Sequence, residues 1–133
     1  LGDLSKNFSR WEFECSCCGA LEISTKLINA LQHLRDEVRL PIHINSGYRC
    51  KKHNARLVKT RGAAKHSYHL KGLAADLVIL NRMPQDMFWD ALKIDEFRHG
   101  GIGVYDSFIH VDVRDGVARW GKIVQLKKGI EDE

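Results

Sequence analysis

Asp76 is the residue that most narrows what this chain can become. It stands inside Ala74-Ala75-Asp76-Leu77-Val78-Ile79-Leu80, an apolar run of strand type. Alternation along a strand puts Ala74, Asp76 and Val78 on one face and Ala75, Leu77 and Ile79 on the other. A carboxylate among such neighbours must be ion-paired, hydrogen-bonded or bound to a metal, because an uncompensated buried charge costs several kcal/mol. The fold therefore has to deliver a compensating partner to this strand.

Two histidines are within reach of it. His69 lies in the loop that leads into the strand, and Gly72 lets the backbone bend between His69 and Asp76. His110 belongs to a hairpin in which Gly101-Ile102-Gly103-Val104-Tyr105 turns at Asp106-Ser107 and returns as Phe108 to Val113. Counting outward from the turn sets Gly103 opposite His110, with space beside the imidazole, and puts Phe108, His110 and Asp112 on one face. His69, Asp76 and His110 then form a set of the kind that holds a hydrolytic zinc ion, with water in the fourth position. Spacing alone leaves a second reading open, in which both histidines are ordinary polar residues and Asp76 is satisfied by a cap or an ion pair.

The remaining segments supply a scaffold. Phe8, Trp11 and Phe13 read as short apolar anchors of an arm over residues 1–20. Ser24 is placed to cap a helix over 25–39, in which Leu27, Ile28, Leu31, Leu34 and Val38 recur at helical spacing before Pro41 stops it. Pro41 to Ser46 alternates as a strand, residues 50–60 read as a short helix ending before Gly62, and Pro84 starts a helix running to Leu92. After a turn at Arg114-Asp115-Gly116 a last strand runs from Val117 to Lys122, and a polar tail covers 124–133. His33, His66 and His99 read as structural polar residues.

At 133 residues, with 44% hydrophobic and 29% charged, one core suffices, so the expectation is a single domain over 1–133. No run of ~18 apolar residues is present, so no membrane span is expected, and the N-terminus lacks the basic-then-apolar pattern of a secretory signal. The net charge of +4 is spread along the chain; it suits an anionic partner and equally serves solubility. A nucleic-acid partner would rest on that charge alone and is not expected. A monomer is.

The cysteines fall as Cys15, Cys17, Cys18 and Cys50. They can ligate a second, structural zinc ion, carry a disulfide to Cys50, or stay reduced and buried. Cys15 and Cys18 have the two-residue spacing of a zinc knuckle, but no second such pair completes it.

Three strings in order narrow the choice: Ser46-Gly47-Tyr48-Arg49; Ser67, His69, Gly72, Ala74 and Asp76; and Gly101 to Tyr105 leading to His110-Val111-Asp112. Together, over roughly residues 8 to 122, they resemble the zinc D-alanyl-D-alanine carboxypeptidase family, which groups with lysostaphin-type enzymes and the hedgehog signalling domain. The resemblance implies a small α+β domain, an antiparallel sheet with helices packed on one side. It implies His69, Asp76 and His110 as ligands of one catalytic zinc, Arg49 holding a substrate carboxylate or carbonyl oxygen, and Ser67 positioning the loop or touching substrate. The implied activity is hydrolysis of an amide bond in peptidoglycan stem peptides or cross-links, as a carboxypeptidase, endopeptidase or endolysin working at the cell wall, in the periplasm or outside the cell, with a phage source included. The commonest family pattern has an acidic base three residues before the last histidine, and here that residue is Ser107. Asp106, one residue off, and Asp112, on the His110 face, are the candidates for that role, and Asp112 has a second reading as a partner that orients a ligand histidine. The missing acid sustains an alternative reading of the chain as a non-catalytic, zinc-stabilised domain that binds cell wall or protein.

Overall fold

The computed structural model describes residues 2–122, so the tail expected over 124–133 lies outside the described residues. Helix α1 (Thr25–Val38) starts where Ser24 Oγ accepts the backbone N–H groups of Lys26 at 3.1 Å and Leu27 at 3.4 Å. Its stripe of Leu27, Ile28, Leu31 and Leu34 is buried. Removing the cap leaves two N–H groups of the first turn without a protein acceptor, so Ser24→Ala should lower stability by about 1 kcal/mol in a urea unfolding titration. A change under ~0.3 kcal/mol would mean that water replaces the hydroxyl fully.

The order that follows is β1 (Ile42–Ser46), α2 (Lys51–Arg61), β2 (Ala74–Ile79), α3 (Pro84–Leu92), α4 (Asp95–Arg98), β3 (Gly101–Val104), β4 (Ile109–Asp112) and β5 (Ala118–Gly121). The strands form one sheet in the spatial order β1-β2-β4-β3-β5. Ala75, Leu77, Ile79, Ile102, Val104, Ile109 and Val111 face a core completed by Phe8, Phe13, Met87, Phe97 and the α1 stripe. Helices α1, α3 and α4 close that side, as an α+β domain requires. The opposite side of the central strands carries Asp76, His110 and Asp112, and its outer wall is built partly from α2.

Two expectations change. The last strand runs parallel to β3 while every other pairing is antiparallel, because β5 crosses past the hairpin to the free edge of β3 instead of returning beside β4. Trp11 is no anchor: it is 73% exposed, whereas Phe8 and Phe13 are buried and meet edge to face at 6.0 Å. The one-turn 3₁₀ helix Arg10–Glu12 turns Trp11 outward between them.

Candidate metal centre

Strand register builds the centre. Asp76 on β2 lies directly across from His110 on β4, and His110 lies across from Gly103 on β3. A shift in the β1–β2 ladder pairs Ile44 with Leu77 but Ser46 with Asp76, skipping Asn45. That irregularity brings the Ser46 hydroxyl to the Asp76 end of the strand. His69 arrives on the 3₁₀ turn Tyr68–Lys71, capped by Ser67 Oγ accepting the His69 N–H at 3.2 Å. The turn ends at Gly72 with φ of +68°, and a Cβ there would strike the Glu22 backbone, so only glycine fits.

One ligand atom each from His69, Asp76 and His110 lies within 4.8 Å of the others. The hydrogen bonds around them fix which atoms carry lone pairs. The Gly47 carbonyl can only accept, so His69 Nδ1, at 2.7 Å, must donate to it. His69 Nε2 then presents its lone pair to Asp76 Oδ1 at 3.1 Å. On the other side both nitrogens of His110 face carboxylate oxygens, Nε2 at 2.8 Å from Asp112 Oδ2 and Nδ1 at 3.0 Å from the same Asp76 oxygen; the tautomer in which Nε2 donates to Asp112 leaves the Nδ1 lone pair facing Asp76. Acceptors pointed at one another need a cation between them, either a proton on the rings or one shared metal ion. Ligands about 2.0 to 2.1 Å from a tetrahedral zinc stand about 3.3 Å apart, close to both of these separations. The donor set fits the ion.

Without the metal, the rings have to supply that cation. Burial opposes charge on His110, but the bonds from Asp112 and Asp76 outweigh it and raise its pKa. Burial would likewise push Asp76 up, yet the bonds from His110 and His69 hold it well below the usual carboxylate range.

Asp112 is fully buried behind His110. Its Oδ1 accepts the N–H of Gly101 at 2.9 Å, and the N–H and Nε of Arg114 at 3.1 and 2.9 Å; its Oδ2 takes His110 and Arg114 Nη2 at 2.7 Å. A Cβ at Gly101 would collide with this carboxylate, which explains that glycine. With both oxygens engaged on the far side of the ring, Asp112 has the geometry of an orienting partner and offers no lone pair to the cleft. Asp106 is directed away from the centre: it is exposed, pairs with Lys122 and lines a separate hollow with Met83, Pro84 and Gln85.

In front of the three ligands opens a cleft of ≈ 910 Å³. Arg49, His53, Arg56 and Arg61 line it, with Ser67 and Ser107, and Asp76 is the one carboxylate among its described lining residues. Arg49 is held by three contacts: Nε to Ser46 Oγ at 3.2 Å, Nη1 to Asn54 Oδ1 at 3.5 Å and Nη2 to Asp76 Oδ2 at 3.2 Å. A guanidinium has five N–H donors, so two remain for a ligand.

The space beside His110 belongs to a residue that motif reading missed. A Cβ at Gly103 would collide with the indole of Trp120, whose ring lies 5.0 Å from that of His110. Trp120 Nε1 donates to Tyr105 Oη at 2.8 Å, and Tyr105 stacks on Phe108 at 4.5 Å. Asn54, buried on a polar helix, was also missed; it bonds the Ala64 and Lys65 carbonyls at 3.0 and 3.4 Å and so anchors the loop before Ser67. Its burial depends on the loop at Ala64 and Lys65, and nothing local to α2 sets it apart from the other polar residues of that helix.

Residues 5–112 match the Peptidase M15 family, and that stretch contains all three candidate ligands and Arg49. The chain belongs to the Peptidase M15 family. Among curated relatives, the peptidoglycan L,D-endopeptidase MepK of Escherichia coli K12 is 39% identical over 77 residues, covering 56% of this chain and 41% of that protein. The probable peptidoglycan L,D-endopeptidase MepK of Haemophilus influenzae is 40% identical over 74 residues, covering 53% and 38%. The alignment thus spans about two fifths of the length of each M15 relative.

Proposed function

We propose that this M15 domain is a zinc-dependent peptidase that hydrolyses an amide bond in peptidoglycan peptides. The observation that carries it is the convergence of His69 Nε2, Asp76 Oδ1 and His110 Nδ1 at the floor of an open, arginine-lined cleft. A zinc ion held by these three would polarise the scissile carbonyl and make a water nucleophilic near neutral pH. Arg49, with two free donors, suits a substrate carboxylate or the oxygen on which charge develops. Tyr105 accepts from Trp120 and keeps its own hydroxyl proton for the cleft it lines. Ser67 acts by fixing the His69 turn. The peptide chains of the wall carry free carboxylates, which matches the basic lining.

The names of the two relatives make an L,D bond the first to examine. Incubating the zinc-loaded protein with purified peptidoglycan should release new termini that mass spectrometry assigns to one bond type, and removing the metal with a chelator should stop their release. Retention of the protein on the wall with no new termini would support the second reading, a zinc-stabilised wall-binding domain. Asp76 is the one carboxylate among the described lining residues of the cleft, which favours that reading enough to make the assay decisive.

Asp112→Asn should weaken zinc at this centre by about 10- to 100-fold in a competition titration. The amide has one acceptor oxygen where the carboxylate has two, so either the Oδ1 donors (Gly101 and Arg114) or His110 would face an N–H₂, and an N–H₂ turned toward the ring would move its proton to Nδ1, where the metal has to bind. Unchanged affinity would remove Asp112 from the centre.

Zinc binding should also depend on pH in a definite sense. Because Nδ1 of His110 is held protonated above the ordinary histidine value of about 6.5, zinc must displace that proton. Affinity should therefore fall on acidification by up to tenfold per unit, starting at a higher pH than an unperturbed histidine would give. A flat affinity between about pH 6 and 8 would contradict this.

A further inference from the structure

The arm carries a second set of ligands that the peptidase reading leaves unused. Cys15, Cys17, Cys18 and Cys50 place their four sulfurs within 4.8 Å of one another. Cys15 and Cys17 are 3.6 Å apart, and Cys17 and Cys50 3.3 Å. Sulfurs 2.3 Å from a tetrahedral zinc stand about 3.8 Å apart, whereas a disulfide needs about 2.05 Å.

The backbone around them is arranged for the same end. Cys15 O accepts the N–H of Cys18 at 3.3 Å and of Gly19 at 2.8 Å, and Gly19 has φ of +73°, so Cys15 to Gly19 forms a tight turn with the Cys15 thiol buried and those of Cys17 and Cys18 exposed. N–H groups also point at sulfur: Cys50 N lies 3.4 Å from Cys15 Sγ, and His53 N lies 3.4 Å from Cys50 Sγ. Cys50 is the N-cap of α2, an eleven-residue helix, and its sulfur accepts the first-turn N–H of His53.

We propose that these four cysteines bind one structural zinc ion, separate from the His69, Asp76 and His110 centre. All four ligand positions are filled by protein, as in a site without catalytic vacancy. The ion staples the arm to the segment that bears Arg49. Phe13 O accepts Tyr48 N at 2.8 Å, and Cys50 directly follows Arg49, so the clamp closes beside the residue that reaches into the cleft.

The test is metal content with cobalt substitution on the full chain, purified in parallel with and without reductant. The expected result is two zinc equivalents per chain, and one in the His69→Ala/His110→Ala variant. In that variant cobalt should give an intense thiolate-to-cobalt charge-transfer band. Cys17→Ser/Cys50→Ser should lose the band and retain the other equivalent. If these cysteine variants fail to fold, the band in the histidine variant still decides. No charge-transfer band and no metal in the histidine variant would overturn the proposal, as would an intact mass short of two hydrogens per bridge with all four thiols unreactive. Failure of the histidine centre alone would instead show one equivalent in the wild type, with the band present.

Discussion

Replacing Asp76 by alanine is expected to abolish hydrolysis of peptidoglycan peptides and to empty the His69 and His110 centre of zinc. The carboxylate does three things at once: it offers a ligand atom, it faces the lone pairs of both rings through Oδ1, and it holds Arg49 through Oδ2. Alanine leaves two imidazole nitrogens with no anion between them, and two neutral ligands hold a dication far more weakly than three with a charge. The loss of turnover should exceed ~10³-fold, beyond what a single hydrogen-bond donor supplies. Asp76→Asn keeps the shape and should fail nearly as badly, which separates charge from packing. Circular dichroism and thermal melting check that the fold persists. Turnover within tenfold of the wild type in Asp76→Asn would sink the assignment of the centre.

Arg49→Ala comes second, with an expected loss in kcat of ~10²- to 10³-fold and zinc content unchanged. Ser46, Asn54 and Asp76 fix the guanidinium beside the centre, so its position is set before substrate arrives. Arg49→Lys should recover little, because an ammonium on a flexible stem cannot reproduce the planar fork. The split between constants is informative: a fall mainly in kcat means that Arg49 meets charge developing in the transition state, and a rise mainly in KM means that it only holds a substrate carboxylate. Wild-type values of both constants in Arg49→Ala would remove Arg49 from the site.

Local patterns carried most of the scaffold. The α1 stripe and its Ser24 cap, Pro84 at the start of α3, and the hairpin register that pairs Gly103 with His110 are short-range signals, and each is present in the structure. Asp76 was legible because an ionised group in an apolar strand demands a partner. The misses share a cause: they depend on contacts between distant segments. Nothing around Asn45 announces a break in the ladder, since the slip exists only relative to β2. Gly103 was read correctly as a source of space, but its occupant, Trp120, comes from a strand whose parallel pairing no local pattern encodes. Asp106 and Asp112 illustrate the same limit: one is turned to Lys122 and the other is consumed by Arg114 and His110, facts of packing and not of spacing.

The division of the cleft between a sheet floor and a helical wall has a dynamic consequence. Asp76 and His110 sit opposite each other on neighbouring central strands, so the amides of those strands are expected to exchange with solvent through openings close to global unfolding. Helix α2 buries just one residue, Asn54, and holds its place largely through polar contacts. Its amides are therefore expected to exchange before those of β2 and β4. A wall that opens more readily than the floor would let a bulky cross-linked peptide enter the cleft while the atoms that would do the chemistry keep their positions.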